Sequence, residues 1–328
     1  MANAPLLRVT DLRLEVPGAT GPVAAVDGVS LEIAAGRVLA LVGESGSGKS
    51  LTALAIARLL PDGVVRRSGQ LWFEGVGALE RLPERAMRAV RGAEIGFVFQ
   101  EPMSALNPVM RVGEQVREAI EAHRGRPRGR AARQRAIELL AQVGIPEPEL
   151  RYRAYPHELS GGMKQRVCIA IALAAGPRLL LADEPTTALD VTVQAQVLEL
   201  LAALRRRSSL AMLLITHDLG VVAELADGVA VMYAGRVVEQ APVEVLFRAP
   251  LHPYTVGLFR SLPRLDGPRG RLVPIPGSVP PPGERPAGCP FRNRCAAAVA
   301  RCAEQEPRLE SVAQRHAVAC WRPGAVTP

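Results

Sequence analysis

The chain has 328 residues and a formal net charge of +8, with 48% hydrophobic and 22% charged residues. This length allows one large domain or two unequal ones with a substantial core, and the composition excludes a largely disordered chain. No apolar run reaches the roughly 20 residues that a membrane-spanning helix needs, and residues 1–9 lack the basic-then-apolar order of a secretory signal. We therefore expect a cytosolic protein whose membrane contacts come through partners or surface charge.

Nearly all the basic side chains are arginines, since Lys49 and Lys164 are the only lysines. One run of arginines comprises Arg124, Arg126, Arg128, Arg130, Arg133 and Arg135. Such a run either meets the phosphates of nucleic acid or lipid, or covers a solvated loop and helix face. The solvated face is favoured, because no aromatic residues interleave with the arginines to form a stacking platform for single strands.

Hydrophobic patterning predicts an alternation of strands and helices along the chain. Strands are predicted at residues 7–9, 12–16, 29–33, 38–42, 69–73, 95–99, 179–182, 211–215 and 228–233. A helix is predicted from Lys49 to Leu60, ended by Pro61-Asp62-Gly63. The alternation predicts a parallel α/β core, and a mostly helical stretch at about 104–175 predicts an inserted subdomain.

The character of the sequence changes beyond about residue 258. Twelve of the 28 prolines lie between Pro242 and Pro290, which forbids long helices and predicts an extended, wrapped segment. Four of the five cysteines then fall within residues 289–320. We expect a separate small module at the C-terminal end.

A glycine-rich stretch at residues 43–50 matches the G-x-x-x-x-G-K-[ST] phosphate-loop pattern, with an apolar strand before it and a helix after it. Its glycines let successive N–H groups point at a phosphate, while Lys49 can bridge the β- and γ-phosphates and Ser50 can bind Mg²⁺. The alternative is a chance glycine-rich turn. The nucleotide-binding residues predicted here are Gly43, Glu44, Ser45, Gly46, Ser47, Gly48, Lys49, Ser50 and Leu51.

Two acidic residues, Asp183 and Glu184, follow the apolar run Leu179–Ala182. A strand that ends in Asp183 can deliver its carboxylate beside the phosphate loop, where it holds Mg²⁺ through water. Glu184 is then placed to activate the attacking water as a general base. The structural alternative is a strand followed by a solvated acidic turn.

A second candidate anion site is Ser160-Gly161-Gly162, directly ahead of a predicted helix over 164–175. Exposed N–H groups and the helix dipole favour negative charge there. Ser160 also suits the role of a helix N-cap, although an N-cap alone does not explain the two glycines.

The order and spacing of these motifs resemble the nucleotide-binding subunits of ABC transporters over residues 5–258. The resemblance implies a P-loop NTPase, RecA-like α/β core with an antiparallel β subdomain and the inserted helical signature subdomain. It implies an ABC domain over 1–258. Two such subunits are expected to enclose two ATP molecules, each held by one subunit's phosphate loop and the other's signature.

The resemblance also implies roles for individual residues. Gln100 is expected to sense Mg²⁺ and the attacking water, Asp190 of Ala188-Leu189-Asp190 to cross the dimer interface, and His217 to contact the γ-phosphate. The residues implied to face the partner's ATP are Ser160, Gly161, Gly162 and Gln165, and those implied to hold Mg²⁺ are Ser50, Gln100 and Asp183.

Recognition of the adenine base departs from the family pattern. An aromatic residue usually precedes the phosphate loop in this family, yet residues 11–30 contain no Phe, Tyr or Trp. Val16 or Val23 is the candidate for an apolar contact with the base.

The C-terminal stretch resembles the extension of oligopeptide and dipeptide importer ATPases, through His252-Pro253-Tyr254-Thr255, Pro274–Gly277 and the segment from Cys289 to Cys295. We expect this extension over 259–328. Four close thiols in a cytosolic protein favour a metal over disulfides, and zinc, an iron–sulfur cluster and unliganded thiols all stay open. The resemblance implies a [4Fe–4S] cluster on Cys289, Cys295, Cys302 and Cys320, whereas Cys168 suits a small core residue.

The resemblance implies an ATPase that energises a dipeptide or oligopeptide importer from the cytoplasmic face of the cell membrane. The partners it implies are a second ATPase chain, two transmembrane permeases and an extracytoplasmic peptide-binding protein, with no nucleic acid. Import of nickel or glutathione-type substrates stays open. So do an ABC ATPase acting on nucleic acid and a regulatory partner that binds ATP without cleaving it.

Overall fold

The computed structural model describes residues 4–101, 105–123, 125–187, 189–261 and 274–327. Arg124 and Ala188, which the sequence analysis singled out, lie outside these residues. The chain divides into two compact units. The first unit comprises Met1–Leu6, Ile33–Val38 and Phe73–Ile215, and the second comprises Leu7–Glu32, Leu39–Trp72 and Thr216–Pro328.

Strands and helices follow each other along most of the chain. The strands are β1 (Leu7–Gly18), β2 (Gly21–Ile33), β3 (Val38–Val42), β4 (Val65–Phe73), β5 (Gly77–Ala78), β6 (Ile95–Val98), β7 (Leu179–Asp183), β8 (Ala211–Ile215), β9 (Gly228–Tyr233), β10 (Arg236–Pro242), β11 (Glu310–Ala313) and β12 (His316–Val318). The helices are α1 (Lys49–Ala57), α2 (Glu84–Val90), α3 (Val112–Glu121), α4 (Gly129–Gln142), α5 (Pro148–Arg151), α6 (Gly161–Leu173), α7 (Val191–Ser208), α8 (Leu219–Leu225), α9 (Val243–Arg248), α10 (Pro253–Arg260) and α11 (Arg301–Glu304). Among the described residues, no helix combines the length and apolar character that crossing a bilayer demands.

The first unit contains the parallel strands β6, β7 and β8, with β7 in the middle. Leu181 of β7 pairs with Phe97 of β6 on one side and with Leu213 of β8 on the other. Residues 179–182 are fully buried, which explains their unbroken apolar run, since a parallel strand covered on both faces needs apolar side chains on both. In the stretch predicted to be helical, α3 packs against α4 and α6.

The second unit contains two groups of strands. β1 lies between β2 and β4. In the other group β3 runs parallel to β9, β10 pairs antiparallel with β9, and β12 pairs antiparallel with both β10 and β11. Glu239 of β10 lies opposite Val318 of β12, so a strand from near the end of the chain extends the group that holds β3.

Several elements differ from the predictions, and β1 (Leu7–Gly18) runs through both strands predicted at 7–9 and 12–16. The helix predicted over 49–60 ends at Ala57, because Arg58 adopts a left-handed conformation at a φ of 53° and Leu59 N–H bonds back to the Leu54 carbonyl. The proline-rich segment also contains helices, since Pro253 stands in the first turn of α10, where the missing N–H costs nothing. Its proline content did keep these helices to a few turns.

Candidate functional site

The glycine-rich loop joins β3 to α1 in the second unit. Gly43 has a φ of 153°, and a Cβ at this position would lie 2.2 Å from the Met232 carbonyl oxygen. Gly48, at a φ of 99°, is the N-cap of α1 and offers no side-chain cap to the first-turn N–H groups. The backbone therefore needs glycine at both positions, and the start of α1 presents N–H groups suited to an anion.

Lys49 is buried in the loop, with only 5% of the residue exposed. Its Nζ donates to the Gly43 carbonyl oxygen at 2.7 Å and to the Glu44 carbonyl oxygen at 3.0 Å. Ser50, on the same first turn, is half-buried. A phosphate within this loop would meet a positive charge, aligned N–H groups and a hydroxyl, which is the set of groups that phosphoryl binding requires.

Glu44, the second residue of the loop, is held by two side chains from the C-terminal part of the chain. Its N–H donates to the Tyr254 hydroxyl at 2.8 Å. Its carboxylate accepts two hydrogen bonds from the Arg294 guanidinium, at 2.7 and 3.0 Å. Both residues stand in motifs of the C-terminal part of the chain, and nothing in those motifs indicates a contact with the loop.

The predicted carboxylates lie in the first unit, at the end of β7. Asp183 is buried and pairs with Ile215 of β8. Glu184 follows in a left-handed conformation, with a φ of 45°, which a residue with a side chain adopts only where its surroundings enforce it. Its Oε2 accepts hydrogen bonds from Thr187 Oγ1 at 2.7 Å and Gln100 Nε2 at 3.3 Å.

This arrangement fixes the direction of the Glu184 carboxylate, which a general base needs in order to orient a water. Gln100 and Glu184, predicted separately from the sequence, are brought together here. Thr187 was missed, although its position three residues after Glu184 within one turn was a usable signal. Its hydroxyl gives the acidic turn a rigid geometry that a solvated turn would lack.

His217 lies two residues beyond the end of β8 and is exposed. Its two neighbours fix the turn, since Asp218 N–H donates to Thr216 Oγ1 at 3.0 Å and Asp218 accepts from the Gly220 N–H at 2.8 Å as the N-cap of α8. The histidine is therefore presented on an ordered strand-to-helix turn, a position from which a side chain can contact a ligand.

The signature residues lie at the start of α6 in the first unit. Ser160 is exposed and caps the helix by accepting the Met163 N–H, at 3.3 Å. Gly161 is exposed, whereas a Cβ on Gly162 would lie 2.3 Å from Val193 Cγ1 of α7. Close packing thus explains the second glycine, and Gln165 is buried one turn further along.

Asp190 caps the neighbouring helix α7, where its Oδ1 accepts the Val193 N–H at 2.9 Å. The capping bonds at Ser160 and Asp190 leave the exposed faces of both residues toward solvent. Both N-caps are therefore compatible with a further contact across a subunit interface.

The residues considered for the adenine base are only half-buried. Val16 is near the end of β1 and Val23 near the start of β2. The side chain of Val23 comes within van der Waals distance of the positions a Cβ would take on Gly18 and Gly283. Part of its apolar surface is therefore already covered by the C-terminal segment.

The four C-terminal cysteines line one small pocket together with His252, Phe291 and Trp321. Cys289 and Cys302 are tied through the backbone, since Cys289 N–H donates to the Cys302 carbonyl at 2.7 Å. Burial, reinforced by the other thiols, raises the pKa of Cys289 to about 11, and burial also raises the pKa of Cys295 and Cys320. Burial therefore favours the neutral form of these three thiols.

Within the described ranges, no group of three or more His, Cys, Asp or Glu side chains is placed to hold a metal ion. Sulfur is a suitable ligand for zinc or iron, but the side chains of the pocket do not form a ready coordination site. The four cysteines that the resemblance implies as cluster ligands line one pocket, but their side chains are not placed as metal ligands there.

Two family models match the chain. One is described as "ABC transporter" and matches residues 26–187, and the other as "Oligopeptide/dipeptide transporter, C-terminal region", matching residues 238–302. The first covers the glycine-rich loop, the signature and the acidic pair. The second covers the segment that bears Tyr254 and Arg294.

Curated relatives resemble nearly the whole chain. An "Oligopeptide transport ATP-binding protein" of Mycobacterium tuberculosis is 54% identical over 99% of this chain, which spans only 53% of that protein. A "Probable peptide ABC transporter ATP-binding protein" of Sinorhizobium fredii is 50% identical, with 98% of this chain and 96% of the relative covered. The chain therefore spans about half of the first relative and almost all of the second.

Solved structures resemble the cassette part. A dimeric bacterial ABC transporter cassette superposes with a TM-score of 0.64 at 29% identity, covering 72% of this chain and 98% of that one. A cassette dimer in a post-hydrolysis state with ADP and phosphate gives a TM-score of 0.65 at 28% identity, covering 72% and 98%. The predicted α/β P-loop fold is thereby confirmed.

Proposed function

Because the chain belongs to the ABC transporter family of ATP-binding proteins, we propose that it hydrolyses ATP to drive the import of dipeptides or oligopeptides. The observation that carries this proposal is the presence, in one chain, of a phosphate loop and a C-terminal segment matching the peptide-transporter model. The names of both relatives agree with it. The nucleic-acid alternative has no comparable support, because both models and both relatives carry transporter names.

The proposed chemistry is transfer of the γ-phosphoryl group of ATP to water. The loop N–H groups and Lys49 neutralise charge on the phosphates, and His217 contacts the γ-phosphate. Glu184, held by Thr187 and Gln100, orients the water and accepts its proton. Since the reaction needs little covalent help, its rate depends on how well these groups are positioned.

Mg²⁺ is the expected companion of the nucleotide, and its residues would be Ser50, Asp183 and Gln100. Their donors are a hydroxyl, a carboxylate and an amide oxygen, which suits a hard cation. Asp183 is buried at the end of β7, where a carboxylate is best tolerated beside a positive charge. When bound, Mg²⁺ neutralises charge that develops on the transferred phosphoryl group.

Two copies of the cassette would complete each ATP site. Ser160, Gly161, Gly162 and Gln165 of one subunit would face the ATP held by the other, with Asp190 at the interface. The buried position of Gln165 favours a supporting role behind the first two residues of the signature.

The partners we propose are a second ATP-binding chain, two transmembrane permeases and an extracytoplasmic peptide-binding protein. The subunit would then lie peripherally on the cytoplasmic face of the membrane. Residues 1–258 are proposed as the ATP-binding domain, with a helical part at about 104–175, and 259–328 as the extension.

The decisive experiment compares Glu184→Gln with the matched control Glu199→Gln, which changes an exposed glutamate of α7. Both variants are assembled with the partner subunits in lipid, and ATP binding and phosphate release are measured. We expect Glu184→Gln to bind ATP and to lose about 100-fold or more of the hydrolysis rate, the range seen when a general base is removed. Unchanged hydrolysis in Glu184→Gln, or absence of hydrolysis in the wild type, would reject the proposal.

The cargo needs a separate measurement, because the ATPase subunit does not contact it in this scheme. Uptake of a labelled tripeptide into vesicles containing the assembled transporter should depend on ATP, and unlabelled peptides should compete with it. Absence of tripeptide uptake, together with ATP-dependent uptake of glutathione or of a nickel chelate, would replace the peptide assignment by one of the alternatives.

A narrower proposal is that the cysteine pocket takes up a [4Fe–4S] cluster. Its support is the convergence of four thiols on one pocket, and no step of ATP hydrolysis is routed through it. Protein purified without oxygen should contain about four iron and four sulfide per chain and absorb visible light, and serine variants should lose both. Zinc without sulfide, or neither metal, would refute the cluster.

A further inference from the structure

Glu44 is the point where the C-terminal extension meets the phosphate loop within the second unit. All of its polar groups are engaged. Its N–H donates to Tyr254, its carbonyl accepts from Lys49 Nζ at 3.0 Å and from Ser47 N–H at 3.3 Å, and its carboxylate is bound by Arg294. The conformation of this residue thus affects both the lysine and the backbone that would cradle a phosphate.

The Arg294 guanidinium is fixed on every side. Its side chain is 7% exposed, and its Nε donates to the Pro276 carbonyl at 2.7 Å while Nη2 donates to the Gly277 carbonyl at 3.2 Å. The planar group also lies over the rings of Tyr233 and Phe291, at 5.7 and 5.9 Å. A guanidinium held this way presents a rigid two-pronged donor to Glu44.

Tyr254 belongs to the same aromatic group. Its ring is fully buried and packs edge-on to Tyr233 at 4.8 Å and against Phe291 at 5.4 Å. The two contacts that Glu44 receives from the C-terminal part of the chain therefore come from a single packed cluster of Tyr233, Tyr254, Phe291 and Arg294. This cluster also reaches the cysteine pocket, because Phe291 lines it.

We propose that Arg294 is a positioning residue for ATP binding, which holds Glu44 so that the phosphate loop is ordered before the nucleotide arrives. This inference rests on the proposed function and extends it to a residue about 250 positions from the loop. When Arg294 is removed, the phosphate loop samples other conformations. The apparent affinity for ATP then falls in proportion to the fraction of molecules in which the loop is correctly arranged. Once ATP is bound, the loop is ordered in either case, so the turnover rate changes little.

The test measures KM for ATP and kcat separately, in the assembled transporter. We expect Arg294→Gln to raise KM by about tenfold, the effect of about 1.4 kcal/mol, with kcat within about twofold. Arg294→Lys keeps the charge but loses the fork, and should give an intermediate KM. The matched control is Arg292→Gln, because Arg292 bonds the Ala287 and Ala303 carbonyls in the same segment and does not contact the loop.

A purely structural role gives a different result. Loss of folded protein lowers the apparent kcat at constant KM, and that outcome for Arg294→Gln would overturn the inference, as would an equal rise of KM in Arg292→Gln. In the double variant with Glu44→Gln, KM should rise no further than in the single variants, since both remove the same contact. A KM in the double variant that rises by the product of the two single effects would argue against the inference.

The inference and the proposed function fail in distinguishable ways. If the wild-type transporter hydrolyses ATP but Arg294→Gln leaves KM unchanged, only the inference fails. If the wild type does not hydrolyse ATP, binding of a fluorescent ATP analogue to the full-length chain still tests Arg294. Equal dissociation constants for wild type and Arg294→Gln would overturn the inference in that case.

Discussion

Replacing Glu239 by glutamine should destabilise the second unit strongly. Glu239 lies on β10 and is completely buried. Its Oε1 accepts from the Leu251 N–H at 2.7 Å and from His316 Nε2 at 2.8 Å, and its Oε2 accepts from the His252 N–H at 3.0 Å. One carboxylate thus connects β10, the turn before α10 and β12.

The magnitude follows from the donors that converge on it. A glutamine can keep its single oxygen toward two of them, but its NH₂ group then faces the third, so that one backbone N–H stays buried without an acceptor. That costs about 1–3 kcal/mol. The two remaining hydrogen bonds lose the extra strength of a charged acceptor, roughly 1 kcal/mol each, so we expect the free energy of unfolding to fall by about 3–5 kcal/mol.

The assay can be confined to the relevant unit, because Trp72 and Trp321 are the only tryptophans and both belong to it. Urea unfolding followed by tryptophan fluorescence compares Glu239→Gln with Glu310→Gln, a control on the exposed strand β11. A loss below about 1 kcal/mol, within the range of ordinary surface changes, or an equal loss in the control, would refute the reasoning.

Three further outcomes follow from contacts described above. Thr187→Val removes the hydroxyl that orients Glu184. In a phosphate-release assay, kcat for ATP hydrolysis should therefore fall about tenfold at unchanged KM, and an unchanged kcat would contradict this. Gly162→Ala should lower stability by about 1–3 kcal/mol in thermal melts, because the added methyl group overlaps Val193. Adding Val193→Ala should recover most of the lost stability, and no recovery would disprove the overlap. Burial raises the pKa of Cys168 to about 12, so its thiolate is scarce at pH 8. Mass spectrometry should find Cys168 alkylated by iodoacetamide only in denaturant, and rapid labelling in the folded protein would refute this.

The local motifs could be predicted because their chemistry is contained in a few consecutive residues. The loop from Gly43 to Ser50 is recognisable from glycines that its backbone conformation requires. The strand before Asp183 is recognisable from its unbroken apolar run. Capping by Ser160 was likewise available from the sequence. Each of these signals depends on backbone geometry over one or two turns.

Other features depend on contacts between distant residues, which no local pattern contains. The pairing of Arg294 with Glu44 joins residues 250 positions apart. The packing of Gly162 against Val193 and the early end of α1 at a left-handed Arg58 are equally tertiary in origin. The resemblance implied a [4Fe–4S] cluster on the four C-terminal cysteines, but spacing along the chain could not tell whether their sulfurs form a metal site.

The strand β12 has a consequence for how this protein avoids aggregation through an exposed sheet edge. By pairing with β10 it occupies hydrogen-bonding groups that an exposed sheet edge would offer to another molecule, and β11 then ends the sheet as a strand of four residues with a charged Glu310. Short, charged edge strands are a common protection against aggregation. Shortened versions of the chain that stop before β11 would uncover β10, and insolubility of such versions would then reflect an unprotected edge rather than a defective nucleotide site.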